Sequence, residues 1–253
     1  MGATSGRTTL NGEGLQHQDG HGLLLASTVP NCLAYDPTFA YEVAILIKRG
    51  IERMYIEGED VFYYITLLNE NYPQPEKPKG VEEGIDRGMY LYKKGKKAKL
   101  KVQLMGSGAI LREVIAAALL LEEYNVSGTI WSVPGINQLH REGQEIERWN
   151  RLNPAETPKK SWVEQCLERH PGPAILATDY LQAYGEQIRR LVQNPLTVLG
   201  TDGYGRSDSR QKLRDYFGVD RYHIATAALA ALVSAEELPL SVLEKAVKNF
   251  AGK

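Results

Sequence analysis

The sequence predicts an α/β fold with a largely parallel sheet and helices on both of its faces. Three observations carry the prediction. From Leu100 onward, short β-branched and apolar runs alternate with longer stretches of helical periodicity, and such alternation implies crossover connections between parallel strands. Two of the runs end in glycine turns, Gly106-Ser107-Gly108 and the segment opened by Gly200, as strand-to-helix junctions commonly do. Between Asn71 and Gly80, three prolines fall within six positions, Pro73, Pro75 and Pro78. That composition is extended, not helical, and it separates two regions.

The elements follow in order. Residues 1–21 are polar and glycine-rich and read as loop or turn, running into a short helix at 23–27. Asn31 to Tyr35, closed by Asp36-Pro37, reads as a buried strand. Thr38 is the candidate N-cap of the next helix, with Glu42 near its first turn. That helix carries Tyr41, Ala44, Ile45 and Ile47 and resumes after Gly50 as far as Met54. Val61 to Leu68, aromatic and β-branched, reads as a strand. The proline segment comes next, and the boundary falls within it or slightly later, at 84–95. Beyond it, residues 100–105, 129–133, 174–178 and 197–200 read as strands. Residues 110–124, 136–149, 158–169, 180–192, 208–217, 222–234 and 240–250 read as helices. The first region holds about two strands and one long helix, too little to bury a core alone. The chain therefore reads as beginning within a domain.

Composition bounds the function. The chain has 253 residues, 43% hydrophobic and 24% charged, with a net charge of −1. There is no positive field to recruit nucleic acid or anionic lipid. The one basic cluster, Lys93, Lys94, Lys96 and Lys97 with Lys99 and Lys101, is short and reads as a solvated loop before a strand. Cys32 and Cys166 lack metal-ligand spacing and read as buried, reduced thiols. The first ten residues have no apolar core of a signal peptide, and no stretch approaches the ~20 apolar residues of a membrane span. A cytoplasmic protein, or a soluble piece of one, fits these limits.

The densest polar stretch is Asn11-Gly12-Glu13-Gly14-Leu15-Gln16-His17-Gln18-Asp19-Gly20-His21. Glu13 and His17 are four apart, so on a helix they share a face. A carboxylate that orients a histidine is a common acid–base pair. His17 and His21 repeat that spacing, which a zinc pair would use, but the H-E-x-x-H pattern is absent because Gln18 follows His17, and no metal site is assigned. A glycine-rich surface turn with scattered polar residues remains the plain alternative. Gly106-Ser107-Gly108 lacks a full dinucleotide fingerprint and reads as a tight turn. Gly200 to Arg210 offers a weak anion nest. His140, His170 and His223 receive no role.

Thr8 to His17 followed by Asp19-Gly20-His21 resembles the active-site stretch of the homodimeric pyruvate dehydrogenase E1 family. It is also similar to the shorter Gly-Glu-Asp-Gly-Pro-Thr-His motif of transketolase, the wider thiamine-diphosphate-dependent family. The resemblance continues through Pro30-Asn31-Cys32, Tyr35-Asp36-Pro37, Tyr41-Glu42-Val43 and Leu68-Asn69-Glu70-Asn71-Tyr72. It resumes at Lys101-Val102-Gln103-Leu104 and Glu147-Arg148-Trp149-Asn150, then runs from Leu199 to Arg210. Essentially the whole chain is covered.

The resemblance implies the C-terminal part of a thiamine-binding pyrimidine domain followed by a transketolase C-terminal-like, three-layer α/β domain. Residues 1–72 would be the remainder of the pyrimidine-binding domain, 73–95 a linker, and 96–253 the C-terminal domain. It further implies that Glu13 and His17 are catalytic. His17 would hydrogen-bond or exchange a proton with the substrate-derived adduct, and Glu13 would orient it close to the thiamine. His17 and His21 would contact substrate. The implied cofactors are thiamine diphosphate and Mg²⁺. The implied partners are a second E1 subunit, the E2 dihydrolipoyl acetyltransferase and pyruvate, with no nucleic acid and no membrane. The implied activity is decarboxylation of pyruvate and transfer of the acetyl unit to a lipoyl group of E2. The family's glutamate that activates the aminopyrimidine, and its metal-ligand motif, are not found in these residues, so the chain alone reads as incomplete. The alternatives are a non-catalytic dimerisation or interaction fragment, another thiamine-dependent 2-oxo acid dehydrogenase or transketolase, and, more weakly, a nucleotide-binding regulatory domain.

Overall fold

The structure, a computed structural model, describes residues 5–10 and 14–252. It contains two sheets. In the smaller, β1 (Cys32–Tyr35) pairs in parallel with β2 (Phe62–Ile65), Cys32 opposite Phe62 and Tyr35 opposite Ile65. The short α1 (Gly22–Ala26) precedes β1, and α2 (Ala40–Ile51) joins the two strands, continuing as a π-helical segment, Glu52–Ile56.

Phe39, not Thr38, is the N-cap residue of α2. The reason lies in Glu42. Its carboxylate reaches back to the N–H of Phe39 at 2.9 Å and to that of Thr38. The Thr38 hydroxyl instead donates to the carbonyl of Gly108 at 2.9 Å. Glu42 is wholly buried and also accepts from the hydroxyls of Tyr90 and Ser132, each at 2.6 Å.

Residues 73–95 hold more than an extended connection. They carry α3 (Glu82–Arg87), closed by Gly88 at φ 99°, and β3 (Tyr90–Lys93). β3 joins the larger sheet, whose spatial order is β3-β5-β4-β6-β7, where β4 is Leu100–Gly106, β5 Val126–Ser132, β6 Ala174–Ala177 and β7 Leu196–Leu199. Only β3 is antiparallel. The connections are α4 (Ile110–Glu122), α5 (Ile136–Leu152) with α6 (Trp162–Leu167), and α7 (Gln182–Glu186). The chain ends in α8 (Arg210–Tyr216), α9 (Arg221–Ser234) and α10 (Leu240–Phe250).

Alternation along the central strands sets the layers. Val102 and Leu104 of β4, with Ile175 and Ala177 of β6, face one cluster with Ile110, Val114, Ala117 and Leu121 of α4 and Ile224, Ala228 and Leu232 of α9. Met105, Ala174 and Leu176 face the other, with Ile136, Leu139, Val163 and Tyr184. β1 is buried on both sides. Cys32 and Ala34 join this second cluster, while Leu33 and Tyr35 pack on Leu46, Val81 and Ile85. Of the cysteines, Cys32 is buried and Cys166 half-buried, and both are free thiols.

From β4 the chain moves to β5 on one side, then crosses back to β6 and β7 on the other. The crevice beyond the carboxyl ends of β4 and β6 is thus a topological switch point, the usual ligand position in open α/β sheets. Here the chain fills it with its own residues. At the end of β4, the Ser107 hydroxyl donates to Asp36 at 2.7 Å and the Gly108 N–H to the Asp36 carbonyl at 3.0 Å. Gly108 sits at φ 49°, and a Cβ there would run into the Asp36 carboxylate. Beyond β6, the Asp179 carboxylate accepts from the Thr8 N–H at 2.9 Å, the Thr8 hydroxyl at 2.7 Å and the Thr9 hydroxyl at 3.0 Å.

Both acids are fully buried. Burial, reinforced by Asp179 and Glu42, pushes Asp36 from the ordinary 3.8 up to about 7, against the hydrogen bonds of Thr66 and Ser107. Burial likewise raises Asp179. Between about pH 4 and 7 the folded chain therefore holds a proton on Asp36 that the unfolded chain has lost. This contribution to stability is complete below about pH 4 and is lost as the pH rises to about 7. Urea unfolding of the wild type and Asp36→Asn across pH 4–8 should show their stability difference moving against the wild type by up to about 4 kcal/mol; two parallel profiles would contradict it. Asp179→Ala leaves three donors without their acceptor. It should lower stability by about 2–4 kcal/mol and speed amide exchange at Thr8, and unaltered protection at Thr8 would refute that role.

Candidate functional site

Leu15–His17 form one 3-10 turn, closed by the His17 N–H on the Gly14 carbonyl at 2.9 Å and the Gln18 N–H on that of Leu15 at 3.2 Å. All three side chains are exposed. Glu13 lies outside the described residues. The turn that carries His17 begins after Gly14, so no helical face of the kind the four-residue spacing requires runs through it. His17 and His21 are also on separate elements. His21 stands at the N-cap of α1, and its Nδ1 is 3.5 Å from Nη2 of Arg7.

The segment is exposed at His17 yet fixed on either side of it. Gln18 is buried. Its Nε2 donates to the carbonyls of Leu10 at 3.2 Å and Arg206 at 2.7 Å, and its Oε1 accepts the Arg206 N–H at 2.7 Å. The Leu181 N–H donates to the Gly20 carbonyl at 3.0 Å. The Asp19 carboxylate accepts the N–H groups of His21 at 2.8 Å and Gly22 at 2.9 Å, which starts α1. Gly20 lies against the buried Arg7, whose Nε would be 2.7 Å from a Cβ at that position. Upstream, Arg210 Nε donates to the Thr9 carbonyl at 2.7 Å and Arg214 Nε to the Thr8 hydroxyl at 3.3 Å. Within Gly200 to Arg210, the Arg206 backbone and the Arg210 guanidinium are thus taken up by the chain's own first region, and Ser209 caps α8.

Arg7 is the unusual member. It is buried beside Asp19, Asp179 and Asp202, and its Nε has no hydrogen-bond partner among the described residues. Burial lowers its pKa, and the three acids oppose the shift. Residue patterning pointed to Glu13, His17 and His21 and passed over Gln18, Arg7 and Asp179. For Asp179 a signal existed: a polar Thr178-Asp179 pair directly follows a wholly apolar strand, where switch-point residues sit.

Chemically, an exposed imidazole on a pinned turn is suited to hydrogen bonding or proton transfer with a molecule that approaches from outside. Leu15, Gln16 and His17 all present exposed side chains there.

Two family models match the chain. The family model of the pyruvate dehydrogenase E1 component middle domain matches residues 1–75, and that of the transketolase-like TK C-terminal domain matches residues 88–220. The chain is 54% identical over 253 residues to the pyruvate dehydrogenase E1 component of Pseudomonas aeruginosa, covering 99% of this chain and 29% of the relative. It is 49% identical over 253 residues to the component of the same name from Escherichia coli K12, covering 99% and 28%. The chain thus spans under a third of the length of these curated relatives. Among solved structures, transketolase from Pichia stipitis, in complex with sedoheptulose 7-phosphate, aligns at a TM-score of 0.66 and 17% identity over 93% of this chain and 30% of that one. A split-gene transketolase described as an inactive β4 tetramer aligns at 0.58 and 19% identity over 91% and 64%. With a family model matched over more than half of its residues, the chain belongs to the transketolase-like C-terminal domain family, here preceded by a pyruvate dehydrogenase E1 middle-domain segment.

Proposed function

We propose that the chain is the C-terminal portion of a pyruvate dehydrogenase E1, a thiamine-diphosphate- and Mg²⁺-dependent enzyme of the cytoplasm. The complete enzyme decarboxylates pyruvate and passes the acetyl unit to a lipoyl group of the E2 dihydrolipoyl acetyltransferase. Residues 1–72 are read as the remainder of the pyrimidine-binding domain and the larger sheet as the C-terminal domain. One observation carries the proposal: His17, in a chain 54% identical to a pyruvate dehydrogenase E1 component, is exposed on a turn anchored through Gln18 and Gly20. In this reading His17 holds or moves a proton at the substrate-derived adduct, and Glu13 orients it. His21, beside Arg7, lies at the edge of the substrate position. The residues that hold the diphosphate and the metal belong to the part of the relatives that this chain does not span.

A homodimeric, interaction-bearing role accompanies the catalytic one. Ile47 and Ile51 of α2 and Tyr55 of the π-helical segment recur at four-residue intervals, and all three are exposed, as are Ile56 and Phe62. An apolar row of this kind marks a contact face.

Two measurements test the reading. Calorimetric titration of thiamine diphosphate with Mg²⁺ into the 253-residue chain should give no saturable heat, because in this reading the groups that hold the diphosphate and the metal lie outside it; one-site saturation would refute the division of residues. In an enzyme completed with the portion its relatives carry, His17→Ala should reduce pyruvate turnover by about 10²–10⁴-fold with cofactor affinity unchanged. Turnover equal to the wild type would remove His17 from the mechanism.

A further inference from the structure

We propose that the polar cavity between the first region and α4, α8 and α9 is a binding site for a phosphate group, on the free anion or on a phosphate monoester. The cavity measures about 350 Å³, within the range of small-molecule sites. Its walls carry four arginines, Arg112, Arg210, Arg214 and Arg221, and three acids, Glu70, Glu113 and Asp220.

The charges are arranged in two tiers. At the floor, Arg214 is almost fully buried between two glutamates, 2.5 Å from Glu70 and 3.5 Å from Glu113. Around it, Arg112 bonds Glu70 at 2.6 Å, Arg221 bonds Glu113 at 2.8 Å, and Arg210 lies 3.8 Å from Glu70. These three outer side chains are 32%, 44% and 29% exposed. The third acid is already engaged: Asp220 Oδ1 accepts the N–H groups of Tyr222 and His223 and contacts the His223 ring, each at 2.9 Å.

Four guanidiniums against three carboxylates leave one positive charge over. More telling is the donor count. A guanidinium presents five N–H donors in a planar fork. Arg112 uses only Nη1, and Arg221 uses Nε and Nη2 on the same glutamate. Arg210 uses Nε and Nη2, on Thr9 and Asn69. Among the described residues, Nη1 of Arg210 and of Arg221, and Nε and Nη2 of Arg112, have no protein acceptor. Converging arginine forks with donors to spare match the geometry of phosphate oxygens. An anion held there would also steady Arg210, which grips the Thr9 carbonyl at the start of the polar segment. This proposal stands whether or not the catalytic reading does.

The test is a calorimetric titration of inorganic phosphate into the full chain, with ionic strength held constant by chloride, alongside Arg221→Gln and Arg112→Gln. The expected result is one site per chain, weakened at least about tenfold by Arg221→Gln, since a charge-assisted hydrogen bond contributes about that much. No saturable heat, or wild-type affinity in both variants, overturns the proposal. Arg112 also packs over Tyr72 at 4.5 Å, so its variant could unfold. A measurement on the wild type covers that case: modification by an arginine-selective dicarbonyl, mapped by mass spectrometry with and without phosphate. Protection of Arg112 and Arg221 supports the site, and identical modification overturns it.

Discussion

Asp179 receives three hydrogen bonds from two consecutive threonines some 170 positions away in sequence. Much of the molecule follows from where that acid sits. It stands beyond the carboxyl end of β6, at the crevice where the direction of strand addition reverses. In an open α/β sheet this crevice is the natural place for a ligand. Thr8 and Thr9 enter it from one side and Asp36 from the other, so the crevice becomes a joint within the chain. A nucleotide-binding role for the larger sheet loses its position on these grounds. The same insertion carries β1 against the helices of the larger sheet, which is why β1 is buried on both faces although its own sheet has two strands.

The joint has a dry inner part and a wet outer part, and their chemistry differs accordingly. Inside, Asp36 and Asp179 are met by hydroxyls and backbone N–H groups. Burial disfavours their charged forms, and both are pushed up. Outside, Glu70 and Glu113 alternate with arginines. There the guanidinium charge outweighs the effect of desolvation on Glu70, whose pKa is held below the usual range. Arg214 links the two zones, with Nε on Thr8 and Nη2 on Glu70. Its conversion to an apolar residue would strand charges on both sides.

Much of this was legible in the sequence, and the exceptions have physical causes. β6 announces itself as an apolar run, Ala174 to Ala177, because helices cover both of its faces. α10 lies where its periodicity placed it, Leu240–Phe250. β3 was hidden because it lies between a proline-rich stretch and a lysine cluster, and because two of its four residues are only half-buried. Thr38 has the right residue type for a cap, but the buried Glu42 claims the nearby N–H groups and Gly108 claims the hydroxyl. At the candidate site, sequence could nominate His17 by its neighbours. It could not show what holds the turn, since Gln18 beside it bonds to Arg206, which is 188 positions distant. Interactions at such separations leave no periodic trace.

That last pairing bears on how the two matched regions divide the work. His17 lies in the segment that matches the middle-domain family, 1–75, whereas the groups that hold its turn lie in the segment matching the C-terminal family, 88–220. Arg206 fixes Gln18, Leu181 fixes Gly20, and Asp179 with Arg210 fixes Thr8 and Thr9. A domain that served only to cover a sheet would need none of these bonds, and its loops at the carboxyl ends of β6 and β7 would be free to vary. Instead those loops form a frame around one short segment, and among its described residues they leave exposed the stretch from Gly14 to His17 and, beyond the buried Gln18 and Gly20, His21. The segment that matches the C-terminal family thus bears on the candidate site through position, by the bonds it makes to either side of the exposed turn. It sets the position of a turn that belongs to its neighbour.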